Sequence, residues 1–134
     1  MSLPESIIYN LLANNQQIVD LLNDIRGEPT DFPYIFIGQP NDTFTTSDNA
    51  PWIRITLMPD DTAVYADNER VMQEYRVQVD FWINRTDLPN LEKLENLIYE
   101  TLHANGVERY YRNHEPDADI ETLEMVQGNF EGFV

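Results

Sequence analysis

Gln73-Glu74-Tyr75-Arg76-Val77-Gln78-Val79-Asp80-Phe81-Trp82-Ile83-Asn84 alternates almost cleanly between two kinds of side chain. Tyr75, Val77, Val79, Phe81 and Ile83 fall on one side of an extended chain. Arg76, Gln78, Asp80 and Trp82 fall on the other. A period of two with one apolar face predicts an antiparallel strand covered on that face by a second layer. Upstream, Pro51-Trp52-Ile53-Arg54-Ile55-Thr56-Leu57 has the same pattern, with Ile53, Ile55 and Leu57 on one side and Trp52, Arg54 and Thr56 on the other. If the two segments are neighbours, one face of the sheet is greasy and the other brings Trp52, Arg54, Arg76 and Trp82 together. Trp and Arg are enriched at protein interfaces, so these four are candidate contact residues. The competing reading makes both tryptophans core, under a helix or the tail of the chain.

The flanks supply the covering layer. Leu3, Ile7, Leu11 and Leu12 form a stripe at helical spacing, which Ile18, Leu21, Leu22 and Ile25 resume after Asn14-Asn15. The stripe fits one helix with a polar step or two short helices, and a single bent helix is favoured, opened by a Ser2/Glu5 capping box and ended by Gly27 and Pro29. Thr86-Asp87 precedes a second helix whose apolar side is Leu91, Leu94, Leu97, Ile98 and Leu102, ended at Asn105-Gly106. Tyr34 to Ile37 is a short apolar strand. Two further strands are expected at about 107–113 and 119–127, with 128–134 as an end segment. Residues 39–50 read as a polar loop without core signal. Residues 60–72 read as an acidic loop or a long hairpin connection, and Tyr65 and Arg70 within them are further candidate contacts. The expected order is helix, three strands, helix, two strands, in one α+β domain over 1–134: two helices on one face of a mostly antiparallel sheet.

Charge and composition narrow the function. Twenty-four acidic residues face eight basic ones, a formal net charge of −16. Such a surface repels phosphate, which disfavours ordinary nucleic-acid binding and docking on an anionic membrane. It suits a solubilising coat, a surface that DNA must pass without sticking, or an acidic mimic of DNA. No cysteine is present, which excludes disulfides, thiolate metal sites and cysteine nucleophiles. Met1 to Asn10 lacks a basic leader, and no apolar run approaches a bilayer span. Asn41 and Asn84 begin Asn-x-Thr sequons that carry no weight without a secretory signal. His103 and His114 lack metal-ligand spacing, the five glycines are scattered, and Asp60-Asp61 with Asp67 lacks the order of a calcium loop. No enzyme, metal or cofactor is therefore expected.

Pro51-Trp52-Ile53-Arg54-Ile55-Thr56, then Tyr65-Ala66-Asp67, then Tyr75-Arg76-Val77-Gln78-Val79-Asp80-Phe81-Trp82, resembles a tail-component family of phages of Gram-positive bacteria. The order of elements over about 3–127 is similar to tail-terminator (tail-completion) proteins of long-tailed phages. That resemblance implies a homo-oligomeric ring of six that caps the tail tube, joins it to the head-tail connector and lets DNA pass. It implies assembly in the host cytoplasm and residence in the virion tail. It transfers no particular site residue. The alternative function from the charge is an acidic DNA mimic or regulatory protein-binding module.

Overall fold

A computed structural model describes residues 3–59, 62–66 and 69–133, with side chains described for all of these except 62–66 and 69–73. The order is α1 (Pro4–Ala13), α2 (Gln16–Arg26), β1 (Ile35–Ile37), β2 (Trp52–Leu57), β3 (Thr62–Ala66), β4 (Glu69–Asn84), α3 (Leu88–Ala104), β5 (Glu108–Pro116) and β6 (Leu123–Phe133). The six strands form one sheet in the order β1-β2-β4-β6-β5, with β3 paired to β4 beyond the end of β2. Among the described strands only β1 and β2 run parallel. The α+β class with helices on a mostly antiparallel sheet is as the alternation of 73–84 predicts.

The face that the strand pattern marks as apolar is the buried one. Ile53, Ile55, Val77, Val79, Phe81 and Ile83 pack against Ile8 and Leu12 of α1, Ile18, Leu21 and Leu22 of α2, and Leu91, Leu94, Ile98 and Leu102 of α3. Register follows from this burial, since a one-residue slip of β4 would turn its apolar set outward. Trp52 lies opposite Trp82, and Arg54 opposite Asp80. On the other side of β4, Tyr75 lies opposite Gly132, where a Cβ would stand 2.7 Å from the Tyr75 hydroxyl. Only a glycine leaves room for that ring.

The details refine the sequence reading in four places. The N-terminal stripe is two short helices, the alternative to the favoured single bent one. Asn15 turns its side chain to accept N–H bonds from Gln17 and Ile18, so it ends one helix and caps the next. The expected capping box is not the start of α1: its N-cap is Leu3, without a side-chain bond, and Ser2 lies outside the described residues. Of the segment 60–72, read as an acidic loop or a long hairpin connection, residues 62–66 form β3, which pairs with an N-terminal extension of β4 that begins at Glu69. The strand expected over 119–127 starts only at Leu123, after a turn, and runs on through the expected end segment to Phe133 beside β4, as β6. Its predecessor β5 likewise extends past 113, to Pro116.

Candidate functional site

The face of the sheet away from the helices, the outer face, holds the residues that the sequence brings together. Its two ends differ. At one end Trp52 and Trp82 stack, with centroids 5.3 Å apart and planes 14° from parallel. They are not exposed: Trp52 is 2% and Trp82 6% accessible. This corrects the expectation of a Trp surface, and the competing core reading is the right one for both indoles. The cover is neither a helix nor the tail. It is the segment 38–50, whose Phe44 packs edge-on against Trp52 at 5.7 Å, together with Tyr34, Phe36, Ile120, Leu123 and Met125. The segment read as lacking core signal thus carries a half-buried aromatic that seals the indole pair.

Polar groups hold that cover in place. Arg26, at the end of α2, donates to the carbonyls of Pro51 (2.6 Å) and Asn49 and lies over the Tyr34 ring. Burial lowers the pKa of its guanidinium, partly offset by Tyr34 and Glu28. On the opposite flank, Trp82 Nε1 donates to Asp117 Oδ1 at 2.9 Å, while Asp117 Oδ2 accepts the N–H groups of Asp119 and Ile120. Burial pushes the Asp117 carboxyl up, but these donors outweigh it and hold it below its ordinary value. Trp52 Nε1 is buried without a hydrogen-bond partner among the described residues.

Next along the face is an ion pair. Arg54 Nη2 lies 2.7 Å from Asp80 Oδ2, and Asp80 is fully buried. Arg54 also covers the Trp82 ring at 4.8 Å and donates to Gln39, and Gln78 Nε2 donates to both Asp80 oxygens. Burial pushes the Asp80 carboxyl up, against the bonds from Arg54 and Gln78. This is a structural clasp between β2 and β4.

The far end of the outer face is open. Arg76 lies over the Tyr110 ring at 5.3 Å and within ion-pair reach of Glu74 and Glu131. The Tyr110 hydroxyl reaches Met58 Sδ. Tyr110, Tyr111 and Phe133 are exposed around this end, each 43–52% accessible. These are the contact candidates that sequence reasoning missed. Arg109-Tyr110-Tyr111-Arg112, two tyrosines between two arginines, was the available signal. Leu57, expected on the buried face with Ile53 and Ile55, is on that side but 46% exposed, at the end of β2 opposite Val77. Of the predicted contact residues, Arg76 lies here, whereas Trp52, Arg54 and Trp82 lie in the covered part. Tyr65 and Arg70 are register partners across the β3–β4 hairpin; their side chains lie outside the described residues.

Behind β5 a polar seam ties that strand to α3. Glu95 is 8% accessible; it accepts from Arg112 Nη2 at 2.9 Å and meets His114 Nε2 at 2.8 Å. Arg109 lies over Tyr99. The Tyr99 hydroxyl donates to Glu108, which also meets His103, and these two bonds hold the Glu108 carboxyl below its ordinary value. Both histidines are accounted for by these carboxylates. Among the described residues no three His, Asp or Glu side chains stand where they could hold a metal ion, and no helix is long and apolar enough to cross a membrane.

No family model matches the chain, and no curated protein matches it in sequence. Among solved structures, one described as the virion of a native gene transfer agent particle contains a chain with a similar fold. The TM-score is 0.66 at 8% identity, over 98% of this chain and 93% of that one. A second solved structure, at TM-score 0.42 and 13% identity over 89% and 94% of the two chains, is too loose to carry an argument. What the first comparison shows is a shared fold, followed from one end of the chain to the other.

Proposed function

We propose that this chain is a structural protein of a phage or phage-like virion, and within it a tail terminator. In this reading copies of the chain form a ring, six in number, on the finished end of the tail tube. The ring binds the tube protein on one side and the head-tail connector on the other. It assembles in the host cytoplasm and stays in the virion tail. The observation that carries the reading is the fold held in common with a chain of a virion particle along nearly the whole length. The resemblance of segments 51–56 and 75–82 to a phage tail-component family supports it independently. So does the placement of polar chemistry. The buried carboxylates Asp80 and Glu95 are each committed to basic partners that fasten strands or a helix together. A net charge of −16 suits a passage through which DNA slides by like-charge repulsion.

The test is to add the purified chain to its own phage's tail tube protein during polymerisation and measure tube lengths by electron microscopy. Tubes that stop growing and carry added density at one end are the expected result. Tubes of unchanged length with bare ends overturn the terminator assignment.

A further inference from the structure

The covered end of the outer face contains a cavity of about 150 Å³ between the segment 38–50 and the turn that joins β5 to β6. Trp52 and Trp82 both line it, with Gln39, Asp42, Asp117 and Asp119. One water takes about 10–15 Å³ of such space, so several polar atoms fit at once. Asp42 and Asp119 are exposed at its rim.

Two features of the lining say what it takes. The first is charge of one sign. Its ionisable residues are all aspartates. The stretch from Glu115 to Glu124, where β5 turns into β6, has Glu115, Asp117, Asp119, Glu121 and Glu124 and no base; the segment 38–50 has Asp42 and Asp48 and no base. The bases that come near are committed or turned elsewhere. Arg54, which donates to Gln39, is paired with Asp80. Arg85 meets the turn through its backbone N–H at Thr122 and does not line the cavity. The donors on Asp117 keep its carboxyl ionised, below its ordinary value. The second feature is an unused donor. Trp52 is 2% accessible and its Nε1 has no hydrogen-bond partner among the described residues, whereas Trp82 beside it bonds to Asp117. A buried donor is costly to leave unpaired, so a ligand that brings it an acceptor is favoured.

We propose that this cavity receives an arginine of a partner protein, its guanidinium among Asp42, Asp117 and Asp119 and a main-chain carbonyl of the same segment accepting from Trp52 Nε1. A guanidinium suits carboxylates beside an indole better than an ammonium does, because it is planar, weakly hydrated and able to stack. Arg54 over the Trp82 ring makes the same pairing within this chain. A free cation would answer the carboxylates alone, whereas a peptide answers the indole N–H as well. That the peptide belongs to another virion protein rests on the assembly reading; the chemistry of the cavity does not.

Both tryptophans of the chain line the cavity, so its two indole N–H signals in a proton–nitrogen correlation spectrum report on this site. Trp82→Phe assigns them. Acetyl-arginine methylamide is titrated at constant ionic strength, beside acetyl-citrulline methylamide, which has the same shape without the charge, and methylguanidinium, which is the head group without the peptide. A saturating shift of the Trp52 signal is expected with the arginine probe, at least about tenfold weaker with citrulline and in an Asp42→Asn/Asp119→Asn variant. Methylguanidinium should leave that signal in place. Asparagine keeps the main-chain bonds at both positions, from Thr45 to the Asp42 carbonyl and from the Asp119 N–H to Asp117. The citrulline comparison needs no variant. A Trp52 signal that never saturates, or that moves equally with citrulline, overturns the site. Methylguanidinium acting as strongly as the arginine probe overturns the peptide as its source. The titration uses no tail tubes, so its failure leaves the terminator reading standing, and bare tube ends leave this site standing.

Discussion

Replacing Trp82 by Ala removes one of the two stacked indoles of the outer-face aromatic layer. The indole is 6% accessible, stacks on Trp52 and supports the Arg54 guanidinium. Losing a buried tryptophan costs about 3–5 kcal/mol. The lower end of that range applies here, for two reasons. Asp117 keeps its two backbone donors when the indole N–H is gone. The covering layer is also made of connecting segments, which can settle into the space more readily than a helix. We therefore expect a loss of about 3 kcal/mol. For a domain of this size each kcal/mol moves the melting temperature by about 4 °C, giving a fall of about 12 °C. Urea titration followed by far-UV circular dichroism gives the same quantity from the midpoint, with the slope unchanged if only stability has altered. Trp82→Phe, which keeps an aromatic face but loses the N–H to Asp117, should cost about 1.5–3 kcal/mol. A Trp82→Ala variant within about 1 kcal/mol of the parent would refute the reasoning, since it would mean that the indole pair is not sealed.

Phe81→Asp places a carboxylate among the helix-facing apolar residues, where Phe81 is 2% accessible; the variant should be unfolded by circular dichroism, and a cooperative melt would disprove the register of β4. Arg54→Ala strips the fully buried Asp80 of its charged partner and should cost about 3 kcal/mol at neutral pH. The Asp80 pKa already lies above its ordinary 3.8, and losing Arg54 raises it further. The folded variant therefore takes up a proton at a pH where the unfolded chain has none. Its deficit should shrink as pH falls through the raised value and be least near 3.8; a deficit that is flat or grows on acidification in this window contradicts the assignment. Gly132→Ala drives a methyl into the Tyr75 hydroxyl, and because Tyr75 is itself buried, a loss of about 1–3 kcal/mol is expected in thermal melts; an unchanged melting temperature would show that the ring has room to move.

The helix-facing half of this molecule was readable because its signals are local and periodic. Alternation in 73–84 and the leucine spacing in 91–102 each specify a face without reference to anything else in the chain. The outer face was not readable in the same way. Whether Trp52 and Trp82 are covered depends on where residues 38–50 pass, and a single Phe44 within a polar segment is no periodic signal. The segment 60–72 lacks a clean apolar alternation, so a loop and a hairpin connection could not be told apart in sequence; the pairing of 62–66 with β4 decides it. The division of the N-terminal stripe turned on one side chain. Asn14-Asn15 was visible as an interruption, but only the Asn15 bonds to Gln17 and Ile18 decide between a bend and a fresh start.

One strand links the parts of the outer face. β4 carries Trp82 and Asp80 in the body and continues without a break to Glu69 in the arm it forms with β3. With β6 on one side of it from Glu74 onward and β3 on the other from Thr62, the root of the β3–β4 arm is paired along both edges. A limb anchored in this way arrives already aimed. Whatever receives it has little disorder to freeze out, and contact quality at the tip, more than the cost of ordering the limb, sets how long the two stay together.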